Sequence, residues 1–155
     1  MDKTTILIPT YNEKENITKI IPSIFEFAPN ISVMVIDDNS PDGTAQEVEK
    51  MQQKYPNLSL YKRTKKEGLG KAYMDGFKKV LKEKPETKFI CTMDADLSHD
   101  PKYLPAIFET TKQNDYIIGS RYVPGGSIVG WEFNRKLLSY LGNHYVRLVT
   151  GIPTH

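Results

Sequence analysis

Two aspartates, two residues apart, follow directly on an apolar run in the middle of the chain. Asp94 and Asp96, in M-D-A-D-L-S-H-D-P, come after F-I-C-T. Carboxylates this close repel each other and are costly to bury, so a purely structural segment has little reason to pair them. A divalent cation bound together with a phosphate-bearing ligand would balance both charges. Oxygen ligands select Mg²⁺ or Mn²⁺, and Mg²⁺ commonly takes one or two carboxylates plus substrate phosphates. The pair therefore predicts a metal-assisted site for a phosphorylated ligand.

Two further polar clusters follow predicted strands. Residues 10–13 come after the first strand, and residues 37–40, D-D-N-S, come after the second. In an open α/β sheet, ligands gather at the carboxyl ends of the strands. Helix capping is the alternative explanation for any single cluster, because Asp and Asn are common at helix N-termini and in turns. Three clusters on one edge favour a ligand site.

The elements that position these clusters alternate between short β-branched runs and stretches of helical periodicity. This alternation predicts an α/β sandwich around a mostly parallel sheet. The predicted strands are 4–8, 31–36, 58–61, 88–93 and 116–119. The first helix is predicted to start with a capping box at Asn12 and Glu15, and Pro22 predicts a kink or break within it. Further helices are predicted at 44–54, 70–84, 101–113 and 134–149.

Length and charge limit the classes of protein that the chain can be. A chain of 155 residues is enough for one domain with a real core, and we treat 1–155 as a single domain. The net charge of +2 does not point to nucleic acid as a partner. The single cysteine, Cys91, favours a reducing, cytoplasmic compartment. No apolar run reaches membrane-spanning length, so membrane contact is expected to be peripheral.

Five motifs together resemble those of the family-2 glycosyltransferases of the GT-A fold. They are P-T-Y-N-E from Pro9, I-D-D-N-S-P-D-G-T from Ile36, G-L-G-K-A-Y from Gly68, M-D-A-D-L-S-H-D-P from Met93 and G-S-R-Y from Gly119. The chain is more narrowly similar to the dolichyl-phosphate (polyprenyl-phosphate) mannosyltransferase branch. The features that point there are S-P-D-G-T, D-A-D-L-S-H and the later G-W-x-x-x-R-K.

The resemblance assigns roles to residues by their place in these motifs. It implies that the nucleotide is held by Pro9, Tyr11, Glu13, Ile36, Asp38, Asp94 and Ala95. Asp96 would bind the Mg²⁺ or Mn²⁺ that bridges the diphosphate, and Ser98, where some relatives have Gln, would be a further metal ligand. Arg121 and Arg135 match the arginines that meet the acceptor phosphate.

The implied reaction is an inverting transfer of mannose from GDP-mannose to a dolichyl or polyprenyl phosphate, at the cytosolic face of a membrane. A phosphate is already ionised at pH 7, so it needs no general base. Arginine's planar guanidinium suits its oxygens.

Several alternatives stay open on the sequence alone. Arg121 is also explained as a structural ion pair, and Arg135 as a solvated charge at a helix start. The last helix is read either as a core helix or as a basic amphipathic helix on a membrane surface. The end at G-I-P-T-H suggests a truncated domain or a frayed natural terminus. The competing functions are a family-2 transferase using a UDP-sugar and a hydroxyl acceptor, and an inactive nucleotide-sugar binding module.

Overall fold

The computed structural model of the protein describes residues 4–120 and 132–151, except for the side chains of residues 133, 135 and 136. The chain divides into two compact units, Met1–Asp115 and Tyr116–His155. All the polar clusters that follow predicted strands belong to the first unit.

A parallel sheet of four strands forms the centre of the first unit. The strands are β1 (Thr4–Thr10), β2 (Ser32–Asp37), β3 (Leu58–Lys62) and β4 (Phe89–Thr92). Their order is β3-β2-β1-β4, and every neighbouring pair is parallel. Thr10 lies opposite Asp37 in the register of β1 and β2, whereas β4 ends opposite Leu7. The loops after β1, β2 and β4 therefore leave from one edge of the sheet.

Helices cover both faces of this sheet. They are α1 (Lys14–Phe27), α2 (Thr44–Gln52), α3 (Leu69–Glu83) and α4 (Leu104–Thr110), the last preceded by a 3₁₀ turn at Pro101–Tyr103. One core cluster joins α1, α2 and α4 to Ile6 and Ile8 of β1, and a second joins α3 to Leu7. Because both faces are covered, β1 and β2 are buried along their whole length apart from the half-buried Pro9 and Ser32, as in parallel sheets generally. The predicted α/β sandwich with a mostly parallel sheet is confirmed.

The helix α3 lies close to the sheet at Gly76. A Cβ atom at this position would collide with the Cδ1 atom of Ile36 and press against Cδ1 of Leu7. Both side chains are fully buried in the second core cluster. Glycine thus permits the close approach that keeps the middle of α3 beside Ile36, near the carboxyl end of β2.

The second unit contains one long helix, α5 (Phe133–Thr150), which ends at Gly151 with φ of 70°. A glycine in the left-handed conformation is a common helix C-terminus. Several apolar side chains of α5 are exposed, among them Leu138 at 74% and Leu148 at 83%. None of the helices in the described part of the chain is long and apolar enough to cross a bilayer.

One prediction about the first helix is wrong, and another is narrowed. Asn12 does not cap α1; it adopts φ of 60°, and Glu13 is the residue at the cap position. The N–H groups of Glu13 and Lys14, at the start of α1, are instead bound by the side chains of Thr44 and Asp42. Of the kink or break predicted at Pro22, the structure excludes the break. The helix continues through the proline, with Ile20, Ile21 and Ile24 buried on either side of it.

The predicted fifth strand, 116–119, is also wrong. These residues form no strand in the structure, and Tyr116 and Ile118 are 81% and 55% exposed. A run of four residues becomes a strand only where a neighbouring strand completes its hydrogen-bond ladder. The predicted helix 101–113 is shorter than expected as well, since α4 ends at Thr110.

Candidate functional site

Three loops meet the carboxyl edge of the sheet, and each contains one non-glycine residue with positive φ. These residues are Asn12 after β1, Asn39 after β2 and Leu97 after β4, with φ between 58° and 64°. Asparagine tolerates this conformation, whereas for leucine it is strained. Such outliers cluster at binding sites, where the surrounding contacts hold the backbone in place. The loops thus combine polar side chains with fixed, unusual backbone geometry.

Asp37 ties the first two loops together and has a structural role. Its Oδ1 atom accepts hydrogen bonds from Thr10 Oγ1 at 3.0 Å and Ser40 Oγ at 2.6 Å, and its Oδ2 accepts from Ser40 N at 2.9 Å. The Ser40 hydroxyl in turn accepts a bond from Asn12 N at 3.0 Å. The Asp37 residue is 1% exposed, so its carboxylate is satisfied inside the protein and is not available to a ligand.

Asp42 connects the starts of two helices. Its Oδ1 atom accepts bonds from both N and Oγ1 of Thr44, at 2.9 and 2.6 Å, and its Oδ2 accepts from Lys14 N at 3.1 Å. Thr44 Oγ1 also accepts a bond from Glu13 N at 3.1 Å. Partial burial acts to raise the pKa of Asp42, but these hydrogen bonds outweigh it and lower the pKa below its ordinary value. One carboxylate therefore serves the N-termini of both α1 and α2.

Asp38 is directed to the other side, where it meets a buried arginine. Its Oδ1 atom lies 2.5 Å from Nη1 of Arg63, whose side chain is only 4% exposed. Arg63 also contacts Glu67 Oε2 at 3.0 Å through Nη2, and Asp75 Oδ2 at 3.2 Å through Nε. The guanidinium thus joins the end of β2 to α3 and to the loop between β3 and α3. We call Arg63, Asp38, Glu67 and Asp75 the arginine cluster.

Two exposed lysines balance the remaining charge of the arginine cluster. Lys65 lies 3.0 Å from Glu67 Oε1, and Lys71 pairs with Asp75 Oδ1. With these lysines, three cations face three carboxylates. Burial acts to lower the pKa of Arg63, but the hydrogen bond and charge of Asp38, with the charges of Asp75 and Glu67, raise it. The guanidinium is therefore a permanent positive charge beside Asp38.

Asp94 is held by two side chains. Its Oδ1 atom accepts a hydrogen bond from the Tyr73 hydroxyl at 3.1 Å, and its backbone N–H donates to His99 Nδ1 at 3.0 Å. Burial first, and then the charge and hydrogen bond of Asp94, raise the pKa of Tyr73 above its ordinary value. The hydroxyl is therefore protonated at neutral pH and can donate. Ala95, the next residue, is 3% exposed.

Asp96 and Ser98 lie at the exposed part of the same loop. The Asp96 Oδ1 atom accepts a hydrogen bond from Ser98 N at 2.9 Å, which fixes the carboxylate relative to its own loop. Among residues 4–120 and 132–151, no three His, Cys, Asp or Glu side chains converge to hold a metal ion. The hard oxygen atoms of Asp96 and Ser98 fit a cation that completes its coordination with ligand phosphates and water, which is the usual arrangement for Mg²⁺.

The remaining predicted nucleotide contacts occupy the ends of β1 and β2. Pro9 and Ile36 are partners in the strand register. The Ile36 side chain is fully buried, so only its backbone faces the edge. Glu13 accepts a hydrogen bond from Asn16 Nδ2 at 2.6 Å. Tyr11 is 37% exposed, and Nζ of Lys66 lies 3.8 Å from the centre of its ring.

The structure therefore brings most of the predicted site residues to one edge of the first unit. Arg121 lies outside the described residues. Arg135 is in the first turn of α5, and its side chain is likewise not described. Sequence reasoning missed Arg63 and Tyr73. The sequence did contain a signal for Arg63, because this residue stands in a cationic run directly after β3, at the carboxyl edge of the sheet.

A parallel sheet covered on both faces, with carboxylates at its carboxyl edge, is the arrangement of the GT-A glycosyltransferases, and solved structures resemble it. Mannosyltransferase PcManGT from Pyrobaculum calidifontis, in complex with GDP-Man and Mn²⁺, is 26% identical with a TM-score of 0.54; the match covers 61% of this chain and 27% of that one. S. aureus TarS 1-349 in complex with UDP-GlcNAc is 31% identical with a TM-score of 0.52, covering 61% and 26%. The fold is thus GT-A.

The sequence comparison narrows this class to one family. The model of glycosyl transferase family 2 matches residues 5–154, and the chain belongs to this family. The undecaprenyl-phosphate mannosyltransferase of Micrococcus luteus is 39% identical over 94% of this chain, and the polyprenol monophosphomannose synthase of Mycolicibacterium smegmatis is 37% identical over 99%. The dolichol-phosphate mannosyltransferase of Pyrococcus furiosus is 39% identical over 88%. The chain spans 59%, 58% and 38% of the lengths of these three relatives.

Proposed function

We propose that the protein binds GDP-mannose at the carboxyl edge of its sheet and transfers the mannose, with inversion, to a dolichyl or polyprenyl phosphate. The observation that carries the proposal is the gathering of Tyr11, Glu13, Asp38, Asp94 and Asp96 on loops that leave one edge of a parallel sheet. Three relatives named as mannosyltransferases of polyprenyl phosphates support it, as does a neighbour of the same fold solved with GDP-Man and Mn²⁺.

The donor nucleotide is assigned to the inner part of the site. Asp38 is buried and held by Arg63, and Asp94 is half-buried and held by Tyr73. Carboxylates in fixed positions suit hydrogen bonds to the base and ribose. The exposed ring of Tyr11 offers an apolar surface to the base, in a place where Lys66 now lies over it. Pro9, Glu13, Ile36 and Ala95 complete this part of the site.

The diphosphate is assigned to the outer part, beside Asp96 and Ser98. These two residues would hold a Mg²⁺ or Mn²⁺ ion together with the phosphates, and such an ion offsets the charge that builds on a departing diphosphate. Asp96 contributes a carboxylate whose orientation is set by Ser98 N. A like-charged ligand without a cation would be repelled by Asp94 and Asp96.

The acceptor is assigned to Arg121 and Arg135. An oxygen of the lipid phosphate would form the new bond to C1 of mannose while the bond from C1 to the β-phosphate of GDP breaks. The attacking oxygen carries no proton to be removed, so the site needs cationic groups to orient it and no general base. The exposed apolar side chains of α5 suit a position at a membrane surface, which is where such a lipid is found.

Calorimetric titration tests the donor assignment. We expect the protein to bind GDP-mannose with Mn²⁺ present and to lose at least about tenfold in affinity with excess chelator, since the phosphates then face uncompensated carboxylates. Asp96→Ala should remove the dependence on Mn²⁺, whereas Asp100→Ala, which removes another exposed carboxylate of the same loop, should keep it. Equal binding with and without metal in the unaltered protein would exclude the metal role of Asp96.

A UDP-sugar is the second candidate donor, because the TarS structure of the same fold contains UDP-GlcNAc. The same titration with UDP-GlcNAc and UDP-glucose separates the two. Tighter binding of either UDP-sugar than of GDP-mannose would reject the mannose assignment. Tight donor binding without transfer to any acceptor would instead favour a binding module.

A further inference from the structure

We infer that Arg63 is a positioning residue for the donor nucleotide, because its guanidinium fixes the carboxylate of Asp38. The same guanidinium also binds α3 and the loop before it, through Asp75 and Glu67. This inference rests on the proposed donor site. Arg63 belongs to none of the motifs through which nucleotide contacts were assigned, and its only sequence signal is its place in a cationic run after β3.

The geometry of the arginine cluster uses all three guanidinium nitrogens. Nη1, Nη2 and Nε each meet a different carboxylate, at 2.5, 3.0 and 3.2 Å. The Arg63 backbone is fixed as well, because its N–H donates to Asp37 O at 2.8 Å. Asp38 is fixed in the same way, since its N–H donates to Thr10 O at 3.0 Å. Both partners of the Asp38–Arg63 pair are therefore held by backbone and side chain together.

Burial separates this ion pair from those on the surface. The side chains of Arg63 and Asp38 are 4% and 7% exposed, whereas the neighbouring pair of Lys62 and Glu49 is 50% and 48% exposed. Exposed pairs contribute little, because water screens them and both side chains lose rotamer freedom. A buried charge that loses its partner is strongly unfavourable. Asp38 therefore keeps its orientation only while Arg63 is in place.

A lysine cannot replace this arrangement. Its ammonium is a single point charge, whereas the planar guanidinium presents donors in fixed directions to several carboxylates at once. With lysine at position 63, the carboxylates of Asp38, Glu67 and Asp75 would compete for one ammonium. Asp38 would then lose its fixed direction while the net charge of the cluster stayed the same.

A double-mutant cycle tests the inference on this chain. GDP affinity with Mn²⁺ is measured by calorimetry for the unaltered protein, Arg63→Lys, Asp38→Asn and the double variant, and thermal unfolding is recorded for each. We expect Arg63→Lys to weaken GDP binding by about tenfold, the effect of losing one charge-assisted hydrogen bond. If Arg63 acts through Asp38, the double variant binds no more weakly than Asp38→Asn alone.

Two further variants separate positioning from general stability. Asp75→Asn loosens Arg63 from the α3 side without touching Asp38, and it should weaken GDP binding by a smaller factor. Lys62→Gln removes the adjacent exposed ion pair and should change neither binding nor unfolding.

The outcomes are distinct. The inference is overturned if the losses of GDP affinity in Arg63→Lys and Asp38→Asn add in full in the double variant. It is also overturned if Arg63→Lys and Asp75→Asn both lower the Tm but leave GDP affinity unchanged. Failure of the unaltered protein to bind GDP would overturn the proposed donor site and this inference together. Binding by the unaltered protein with an additive cycle would overturn this inference alone.

Discussion

Tyr73 and Asp94 show how a single hydroxyl group can set the position of a carboxylate. Tyr73 belongs to α3, and its ring packs against the second core cluster. The ring therefore cannot follow the loop after β4 if that loop moves. Its hydroxyl then defines where Oδ1 of Asp94 lies, 3.1 Å away. Since the pKa of Tyr73 is raised, this donor keeps its proton across the range of pH in which the protein would work.

Removal of this hydroxyl should affect nucleotide binding more than folding. We expect Tyr73→Phe to weaken GDP binding about fivefold, corresponding to about 1 kcal/mol, because Asp94 loses a donor that orients it. The apolar packing of the ring is kept, so the midpoint of urea unfolding should change little.

Tyr61→Phe is the matched control for this experiment. Tyr61 packs against the same core cluster from β3, and the substitution removes the same atom. It should leave GDP affinity unchanged. Equal losses of affinity in the two variants would contradict a specific role for the Tyr73 hydroxyl.

The polar clusters at the carboxyl edge could be placed from sequence, because Tyr11, Asp38 and Asp94 each follow a run that reads as a buried strand. The contacts of Arg63 and Tyr73 could not be predicted in this way. Their partners Asp38 and Asp94 are 25 and 21 residues away along the chain, so the contacts exist only once the sheet and α3 are assembled. Asp37 and Asp38 are adjacent in sequence, yet the Asp37 carboxylate bonds to Thr10 and Ser40 whereas that of Asp38 meets Arg63. Nothing in the sequence separates these two roles.

At the level of helices and strands, the loop between β2 and α2 acts as a common cap. Asp42 and Thr44 bind the first N–H groups of α1 as well as those of α2. Helix N-termini carry unsatisfied donors and partial positive charge, both of which a carboxylate relieves. The position of α1 therefore depends on a loop almost thirty residues further along the chain.

Asp42→Ala should destabilise the protein by about 1–2 kcal/mol at pH 7, the usual effect of losing a capping side chain. The pKa of Asp42 is lowered in the folded state, so its contribution is fully present above the ordinary aspartate value of about 3.9 and is lost as the pH falls through the lowered value. The difference in unfolding free energy between the two proteins should thus be constant from pH 7 to 5 and shrink below about pH 4.

Urea unfolding followed by circular dichroism at pH 7, 5 and 3.5 measures this difference. Glu86→Ala, which removes an exposed carboxylate from the loop after α3, is the control and should have no effect at any of these values. A destabilisation by Asp42→Ala that stayed the same at pH 3.5 would contradict an electrostatic origin.

The strands β1 and β2 and the helix α1 could be predicted because the pattern of apolar residues in the sequence matches the residues that the structure buries. Apolar runs at β1 and β2 and the spacing of Ile17, Ile20, Ile21, Ile24 and Phe25 in α1 correspond to residues that the structure buries. The errors arose where local rules compete with tertiary contacts. Asn12 has the residue type of a cap, but Asp42 and Thr44 accept the hydrogen bonds of the Lys14 and Glu13 N–H groups instead. The run at 116–119 has strand propensity but forms no strand.

At the scale of the whole molecule, the proposed roles divide between the two units. The residues assigned to the donor belong to the first unit, whereas Arg121 and Arg135, assigned to the acceptor, belong to the second. Substitutions in the two units should therefore affect different steps. This division makes the acceptor assignment testable independently of the donor site.

Arg121→Ala should impair transfer while leaving donor binding unchanged. Its guanidinium is assigned to the lipid phosphate, so its loss removes the charge that orients the attacking oxygen, and we expect the rate of mannose transfer from GDP-mannose to a short polyprenyl phosphate to fall by at least about tenfold. Calorimetry should give the same GDP-mannose affinity for both proteins. Arg147→Ala removes an exposed arginine from α5 of the same unit and should retain both properties. If Arg121→Ala instead lost donor affinity in proportion to transfer, the arginine would act on the leaving diphosphate. If polyprenyl alcohol served as well as polyprenyl phosphate, the proposed site for an ionised acceptor would be wrong.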